Sequence, residues 1–320
     1  MPRVVRVRCH AKVNLALAVG PPLGPEAGAH AGFHPICSWF SAIDLWDDLE
    51  IEAGGPGDRG IPSASTHEIT WAPDAPKASP IDWAIERDLA VRAHRLMEEE
   101  AGRALPLSMR LSKRIPVGGG LGGGSSDAAG MLRAVNEAFA LGIAPERLMA
   151  LARRLGSDVA YFLDGELAGP PRAAIVSGVG DRIERVPFVP AWMVLIVPGF
   201  GCPTGAVYRA FDGRAASGGE WGEARARGVI ARSIETGVPV PGLFNDLFEP
   251  ACAAVPELRH VSERAAAAAG CPVFMSGSGS TLFTLHGSES EAGVAAARLR
   301  ADSGLAAAVI TSRLVGPAAR

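Results

Sequence analysis

The chemistry of this chain of 320 residues gathers in IPVGGGLGGGSSDAAGML, residues 115–132. Pro116 and Val117 lead into Gly118, Gly119, Gly120, Leu121, Gly122, Gly123 and Gly124, so six of seven successive positions are glycine. Glycine loses more backbone entropy on folding than any other residue, about 0.5–1 kcal/mol relative to alanine in regular structure. Such a run is costly unless some group must come up against bare backbone. Ser125, Ser126 and Asp127 follow at once and read as the start of a helix, whose free N–H groups and dipole favour an anion. Glycines ahead of that helix let successive amides turn inward around a triphosphate. Serine hydroxyls there donate to phosphate oxygens or stand near a metal ion. Lys113, at the end of the preceding strand, can reach the nucleotide edge of such a site.

Two other glycine-loop patterns fit less well. A Walker loop needs GxxxxGK[ST], and no lysine follows these glycines. Gly118-x-Gly120-x-x-Gly123 matches GxGxxG, but that fingerprint follows a strand buried on both faces within a βαβ unit. The strand here carries Ser108, Arg110, Ser112 and Arg114 on its second face. A tight turn closed by a serine cap would need fewer glycines.

Two charged residues elsewhere stand out. Lys12 sits among apolar neighbours in HAKVNLAL, a poor place for a charge without a partner. Asn14, two residues on, shares its strand face. Asp158 follows a helix stop at Gly156 and a candidate cap at Ser157. With an ordinary pKa of ~3.9 its carboxylate is ionised at neutral pH, able to deprotonate an alcohol or to cap the next helix.

The elements that must position these residues follow from periodicity. RVVRVRCHAKVNLALAV alternates with period two and predicts a strand pair or one long bent strand; ICSWFSAIDLWDDLEIEAG predicts two more strands. PPLGPEAGAHAG (21–32) and the Gly/Pro-rich residues 54–80 read as surface loops. Helices are predicted over 82–102, after the glycines, over 145–155 and over 261–270, with a strand over 105–117. AAIVSGV and WMVLIVP read as strands, 212–228 as a Gly/Ala/Arg-rich loop, and a helix and strand close the chain. Mixed elements with strands of antiparallel character predict an α+β fold. Two domains are expected, 1–172 and 173–320, with the boundary falling somewhere in 165–180.

An apolar fraction of 48% supports real cores, and a net charge of −3 gives no reason to expect a nucleic-acid surface. The five cysteines show no CxxC or paired framework, so reduced thiols are expected. The N-terminus alternates arginine and valine instead of building a signal peptide, and AWMVLIVPGF is too short for a membrane span. A soluble cytoplasmic protein acting on a small molecule is expected, with neither nucleic acid nor membrane as partner.

At this point the motifs meet a known pattern. KRIPVGGGLGGGSSDAA resembles the central ATP loop of the galactokinase, homoserine kinase, mevalonate kinase and phosphomevalonate kinase (GHMP) superfamily. HAKVNLAL (10–17) resembles its N-terminal motif and FMSGSGSTLF (274–283) its C-terminal glycine motif. The resemblance implies an N-terminal ATP-binding domain like domain 2 of ribosomal protein S5 and a ferredoxin-like C-terminal domain. It also implies ATP with Mg²⁺, the metal ligands unassigned, and a nucleotide held by Lys113 and residues 116–126.

Within the superfamily, AKVNL, GFHPICSWFSAIDLWDDLEI, GSDVAYFL and LFNDLFEP are similar to one branch. That branch phosphorylates the 2-hydroxyl of a cytidine-diphosphate sugar alcohol in the non-mevalonate isoprenoid route. The likeness runs from residue 9 to the C-terminus, with gaps at 21–31, 54–80 and 212–228. It implies Asp158 as catalytic base and Lys12 as its charge partner facing the transferring phosphoryl group. It assigns Asn14, Phe33, His34, Gly277, Ser278 and Gly279 to the substrate, in a monomer or weak homodimer. A mevalonate- or homoserine-type kinase would share the ATP loop without GFHPICSWFSAIDL or LFNDLFEP. A non-catalytic nucleotide-binding regulator would not need both Lys12 and Asp158. Three departures stand: Phe33 where tyrosine is usual, the long loop 21–32, and Asp88 where an asparagine often meets adenine.

Overall fold

Alternation at the N-terminus becomes a single strand, β1 (Arg3–Val19), and the next stretch also forms one strand instead of two, β2 (Ile36–Ala53). In the computed structural model, which describes residues 3–54, 64–215, 221–239 and 241–317, the two form a long antiparallel hairpin from Arg3↔Ala53 to Val19↔Ile36. Register shifts between His10 and Lys12 and between Asn14 and Ala16 bend it, as bulges do by raising local twist. From Val4 to Arg8 exposed and buried residues of β1 alternate; from Cys9 onward all are buried. The strand thereby carries Lys12 and Asn14 into the interior.

Residues 66–71 correct the expected loop over 54–80. THEITW forms β3 (Thr66–Trp71), a short period-two segment disguised by its Gly/Pro-rich flanks; residues 55–63 lie outside the described residues. Helix α1 (Leu89–Ala101) is shorter than predicted because Asp88, in extended conformation, caps it through Ala90 N, and Gly102 in the left-handed region ends it. Then come β4 (Leu107–Lys113), α2 (Gly123–Ala138) and α3 (Pro145–Leu155), the last entered at a proline as predicted. β5 (Ala174–Gly178), β6 (Arg182–Arg185) and β7 (Trp192–Pro198) follow.

The expected loop at 212–228 is also corrected. Most of it belongs to α4 (Thr204–Ala215) and α5 (Glu223–Thr236), because its alanines and arginines are strong helix formers; residues 216–220 lie outside the described residues. The chain closes with α6 (Phe248–Ala254), α7 (Glu257–Ala269), β8 (Phe274–Met275), β9 (Leu282–His286), α8 (Glu289–Ala301) and β10 (Ala307–Val315).

One α+β sheet results, with the path β3-β4-β2-β10-β7-β9-β8; β1 and β5 also pair with β2, and β6 with β5. Ladders among the described residues are antiparallel except β3 with β4. β10 joins the two ends: Leu314 and Val315 pair with β2, and Ala307 to Arg313 with β7. α1, α2 and α3 cover one core, and α6, α7 and α8 another. The five cysteines are free thiols. No helix among the described residues is long and apolar enough to cross a membrane.

A histidine pair, His94 buried and His67 half-buried, ties edge strand β3 to α1. His94 Nε2–H donates to Leu105 O at 2.9 Å, which leaves its Nδ1 to accept from His67 Nε2–H at 3.1 Å. Burial holds both rings below the ordinary imidazole pKa, with Arg95 adding to it and Glu98, 3.8 Å from His94, opposing it. The unfolded chain therefore binds protons below pH ~6.5 that the folded chain refuses, so stability is complete above that value and lost as the pH falls. Thermal unfolding should show a Tm that drops between pH 7 and pH 5, with a shallower drop in His67→Gln. Identical pH profiles for the two proteins would remove this pair as the acid-sensitive element.

Candidate active site

The glycine loop is anchored on both sides by one ammonium group. Lys113, at the end of β4 and 4% exposed, places Nζ 2.6 Å from Asp47 Oδ2 and 2.6 Å from Asp127 Oδ2. Asp47 on β2 also accepts the backbone N–H groups of Arg114 and Ile115, which lead into the loop. Asp127 lies in the second turn of α2, which leaves the loop. Burial opposes the charge on Lys113, but the two carboxylates outweigh it and raise its pKa above that of an ordinary lysine. Burial pushes Asp127 upward, and its Oδ1 has no partner among the described residues. Lys113 therefore lines the nucleotide-sized cleft with its ammonium turned toward the two carboxylates.

Along the loop Gly118, Gly120 and Gly122 all take positive φ, near +70°. At Gly120 the constraint is also one of space, since a Cβ there would lie 2.3 Å from the carbonyl oxygen of Ser276. Helix α2 starts at Gly123, two residues before the predicted Ser125, and among the described residues no side chain caps it. Its first N–H groups are thus left for another acceptor. Leu121 buries its side chain and accepts the backbone N–H of Lys12 at 2.9 Å, tying the loop to β1. Ser126 is buried, whereas Ser125 is half-buried at the cleft wall.

Residues 115–125 wall an outer cleft of about 540 Å³ together with Trp83, Arg87 and Asp88. Pro116, Val117, Gly118, Gly119, Gly123 and Gly124, expected on the nucleotide, line this cleft. Asp88 caps α1 and accepts Trp83 Nε1–H at 3.2 Å, so its carboxylate already has two donors. Trp83, which also lines this cleft, carried no motif to find it by.

An inner cleft of about 680 Å³ shares Gly120, Gly122, Ser125 and Thr204 with the outer one. On the wall of the inner cleft, beside the shared Gly122, Lys12 Nζ lies 3.2 Å from Asp158 Oδ2, 2.6 Å from Asn14 Oδ1 and 4.4 Å from the centre of the Phe40 ring. Asp158 opens a short 3₁₀ turn, Val159–Leu163, yet its side chain caps nothing among the described residues. Its Oδ1 has the Ser157 hydroxyl 3.5 Å away. Asn14, expected on the substrate, has its carbonyl oxygen toward Lys12 and its amide N–H toward Ser38 at 2.8 Å.

The third glycine turn closes over the first. Ser276 Oγ accepts Asn14 N–H at 3.2 Å and donates to Gly120 O at 3.0 Å. Gly277 and Ser278 line the inner cleft, while Gly279 sits against Met275 and Cys202. Asn245 holds the turn, donating from Nδ2 to Met275 O and Gly277 O, each at 2.8 Å.

At the far end, Phe33 is 55% exposed at the rim. His34 Nδ1–H donates to Gly20 O at 2.9 Å, and its Nε2 lies 3.2 Å from Asp212 Oδ1. Tyr208 and Phe211 of α4 pack on its ring, with centroids 5.0 and 5.6 Å away. Burial, with Asp158 nearby, pushes the Tyr208 phenol up to about 12. Tyr208 and Asp212 escaped the sequence reading because Asp212 was assigned to a loop; their i,i+4 spacing in TGAVYRAFD was the available signal.

Residues 88–166 match the GHMP kinases N terminal domain. The chain is 34% identical over 303 residues to the 4-diphosphocytidyl-2-C-methyl-D-erythritol kinase of Geobacter sp. (strain M21), covering 94% of this chain and 96% of that protein. It is also 34% identical to the protein of that name from Nocardioides sp. (strain ATCC BAA-499 / JS614), covering 92% of each. A crystal structure of 4-(cytidine 5'-diphospho)-2C-methyl-D-erythritol kinase superposes with a TM-score of 0.74 at 33% identity, over 98% of this chain and all of the other. Mevalonate kinase from L. major, with a TM-score of 0.67 and 15% identity over 100% and 98% of the two chains, shares the fold.

The anchor beneath the loop can be tested by stability. Lys113→Met leaves two buried carboxylates without their cation and should cost about 3–5 kcal/mol in urea unfolding. A loss below about 1 kcal/mol would mean that the ammonium does not hold the loop.

Proposed function

The chain belongs to the family of 4-diphosphocytidyl-2-C-methyl-D-erythritol kinases, a branch of the GHMP kinases, and from that premise we propose its reaction in detail. The protein transfers the γ-phosphoryl group of ATP to the 2-hydroxyl of 4-diphosphocytidyl-2-C-methyl-D-erythritol. ATP takes the outer cleft, with its base near Trp83 and its phosphates along Gly118–Ser126. The cytidine substrate takes the inner cleft, with its ring near Phe33, His34 and Tyr208. The observation that carries the reading is the 3.2 Å Lys12–Asp158 ion pair on the wall of the inner cleft, beside the glycine loop that both clefts share.

Phosphoryl transfer asks a protein mainly for positioning and charge stabilisation. Asp158 accepts the proton of the substrate hydroxyl through Oδ1, the oxygen turned away from Lys12. The hydroxyl oxygen then bonds to the γ-phosphorus, the bond to the β–γ bridging oxygen breaks, and ADP leaves. Lys12, paired with Asp158 at 3.2 Å, faces the charge of the group in transit. Uncapped N–H groups of α2 and the glycine amides receive the remaining phosphates.

Among the described residues, no cluster of three or more His, Cys, Asp or Glu is placed to hold a metal. Mg²⁺ commonly binds through substrate phosphates and one or two protein oxygens, and the Ser125 hydroxyl and the Asp158 carboxylate, which both line the inner cleft, fit that pattern. When bound, it would neutralise phosphate charge. Residues 1–172 would supply the ATP loop, both charged residues and one wall of the inner cleft, and residues 173–320 its other wall, with Thr204, Tyr208, Gly277 and Ser278.

A panel of alcohols in an ADP-release assay with ATP and Mg²⁺ tests the assignment. The cytidine-diphosphate methylerythritol should be turned over, with mevalonate and homoserine at background. Turnover of mevalonate or homoserine without the cytidine substrate would overturn it.

A further inference from the structure

We propose that Ser38 is a positioning residue that fixes the Lys12 ammonium by dictating which way the Asn14 amide faces. The proposal rests on the reading of Lys12 given above. Ser38 lies on β2 and is fully buried. Its hydroxyl has one hydrogen, and its neighbours are Ala16 O at 2.7 Å and the Asn14 amide at 2.8 Å. A carbonyl oxygen only accepts, so that hydrogen goes to Ala16, and toward Asn14 the serine oxygen can only accept. The atom facing Ser38 must therefore be Nδ2, which turns Oδ1 to Lys12 Nζ at 2.6 Å.

The flipped amide is excluded on both sides. It would set Oδ1 against a serine oxygen with no hydrogen left to give, and an NH₂ group against an ammonium. In a buried site each unmade bond carries its full desolvation cost. The bulge between Asn14 and Ala16 brings the side chain of one and the carbonyl of the other to the same hydroxyl. From the opposite side Ser276 holds the Asn14 backbone N–H, so the amide turns about a fixed base. With Oδ1 in place, Lys12 is held between Asn14, Asp158 and the Phe40 ring. One hydroxyl hydrogen thus sets the orientation of an ammonium two side chains away.

The test is a double-variant cycle read by steady-state kinetics and thermal unfolding. Ser38→Ala should lower kcat on the order of tenfold while the KM of each substrate stays within about twofold, the split expected when an interaction counts mainly in the transition state. Ser38→Thr, which keeps the hydroxyl, should recover most of the kcat. In an Asn14→Ala background, Ser38→Ala should have no further effect, because the route runs through that amide. Wild-type kcat in Ser38→Ala, an equal loss in the Asn14→Ala background, or no recovery in a folded Ser38→Thr would each overturn the proposal. Lys12→Ala, measured alongside, separates the two readings. If it is inactive, failure belongs to Ser38 alone; if it is fully active, the assignment of Lys12 falls and this proposal with it.

Discussion

A lysine ammonium between two buried carboxylates decides where the glycine loop can go. A stretch with six glycines in seven positions has almost no side chains with which to hold itself in one shape. Its geometry must come from its ends. Asp47 takes hold of Lys113 and of the two backbone N–H groups that follow, and Asp127 takes the same ammonium from the first turns of α2. Buried ion pairs are not a dependable source of net stability, since desolvation offsets much of their attraction. What this cluster supplies is register: strand end, loop and helix start are fixed to β2. The open amides of the loop are therefore held in one geometry, the one that receives phosphate in the proposed reaction.

The second constraint runs crosswise. Lys12 comes from the first strand and Asp158 from the turn after α3, and a buried lysine needs a partner wherever it lies. The bulges of β1 place that lysine against the loop, where its backbone N–H binds Leu121 O and its side chain passes Gly122. Ser276 adds the third glycine turn by bonding both Asn14 and Gly120. Three segments far apart in sequence thus meet through a few hydrogen bonds, each satisfying a group that would otherwise be buried unpaired. The phosphate cradle and the charged pair form one unit, and that unity makes a phosphotransferase of the fold.

Much of this was legible in the residues. The glycine loop and the helix after it declared themselves by composition, and the isolated charge of Lys12 asked for a partner that Asp158 provides. The α+β class followed from period-two and helical spacing in alternation. Other features were hidden for physical reasons. Bulges leave no mark in the residue types, so β2 read as two strands. THEITW lay within Gly/Pro-rich flanks, and the glycines around Arg214 masked two helices together with Tyr208 and Asp212. Nothing in the local pattern ties Lys113 to Asp47, 66 residues earlier, so its ion pairs were hidden. Ser38 is a lone serine in a strand until its neighbours are known.

On the proposed mechanism Asp158, paired with Lys12, takes the proton from the substrate hydroxyl. Single-turnover phosphoryl transfer by Asp158→Asn, with ATP affinity measured on the same protein, tests it most directly. The amide keeps the shape and the contact with Lys12 but cannot act as a base, so ATP should bind within about twofold of wild type while transfer slows by about 10²–10⁴-fold. Transfer at a near wild-type rate in that variant would contradict the account.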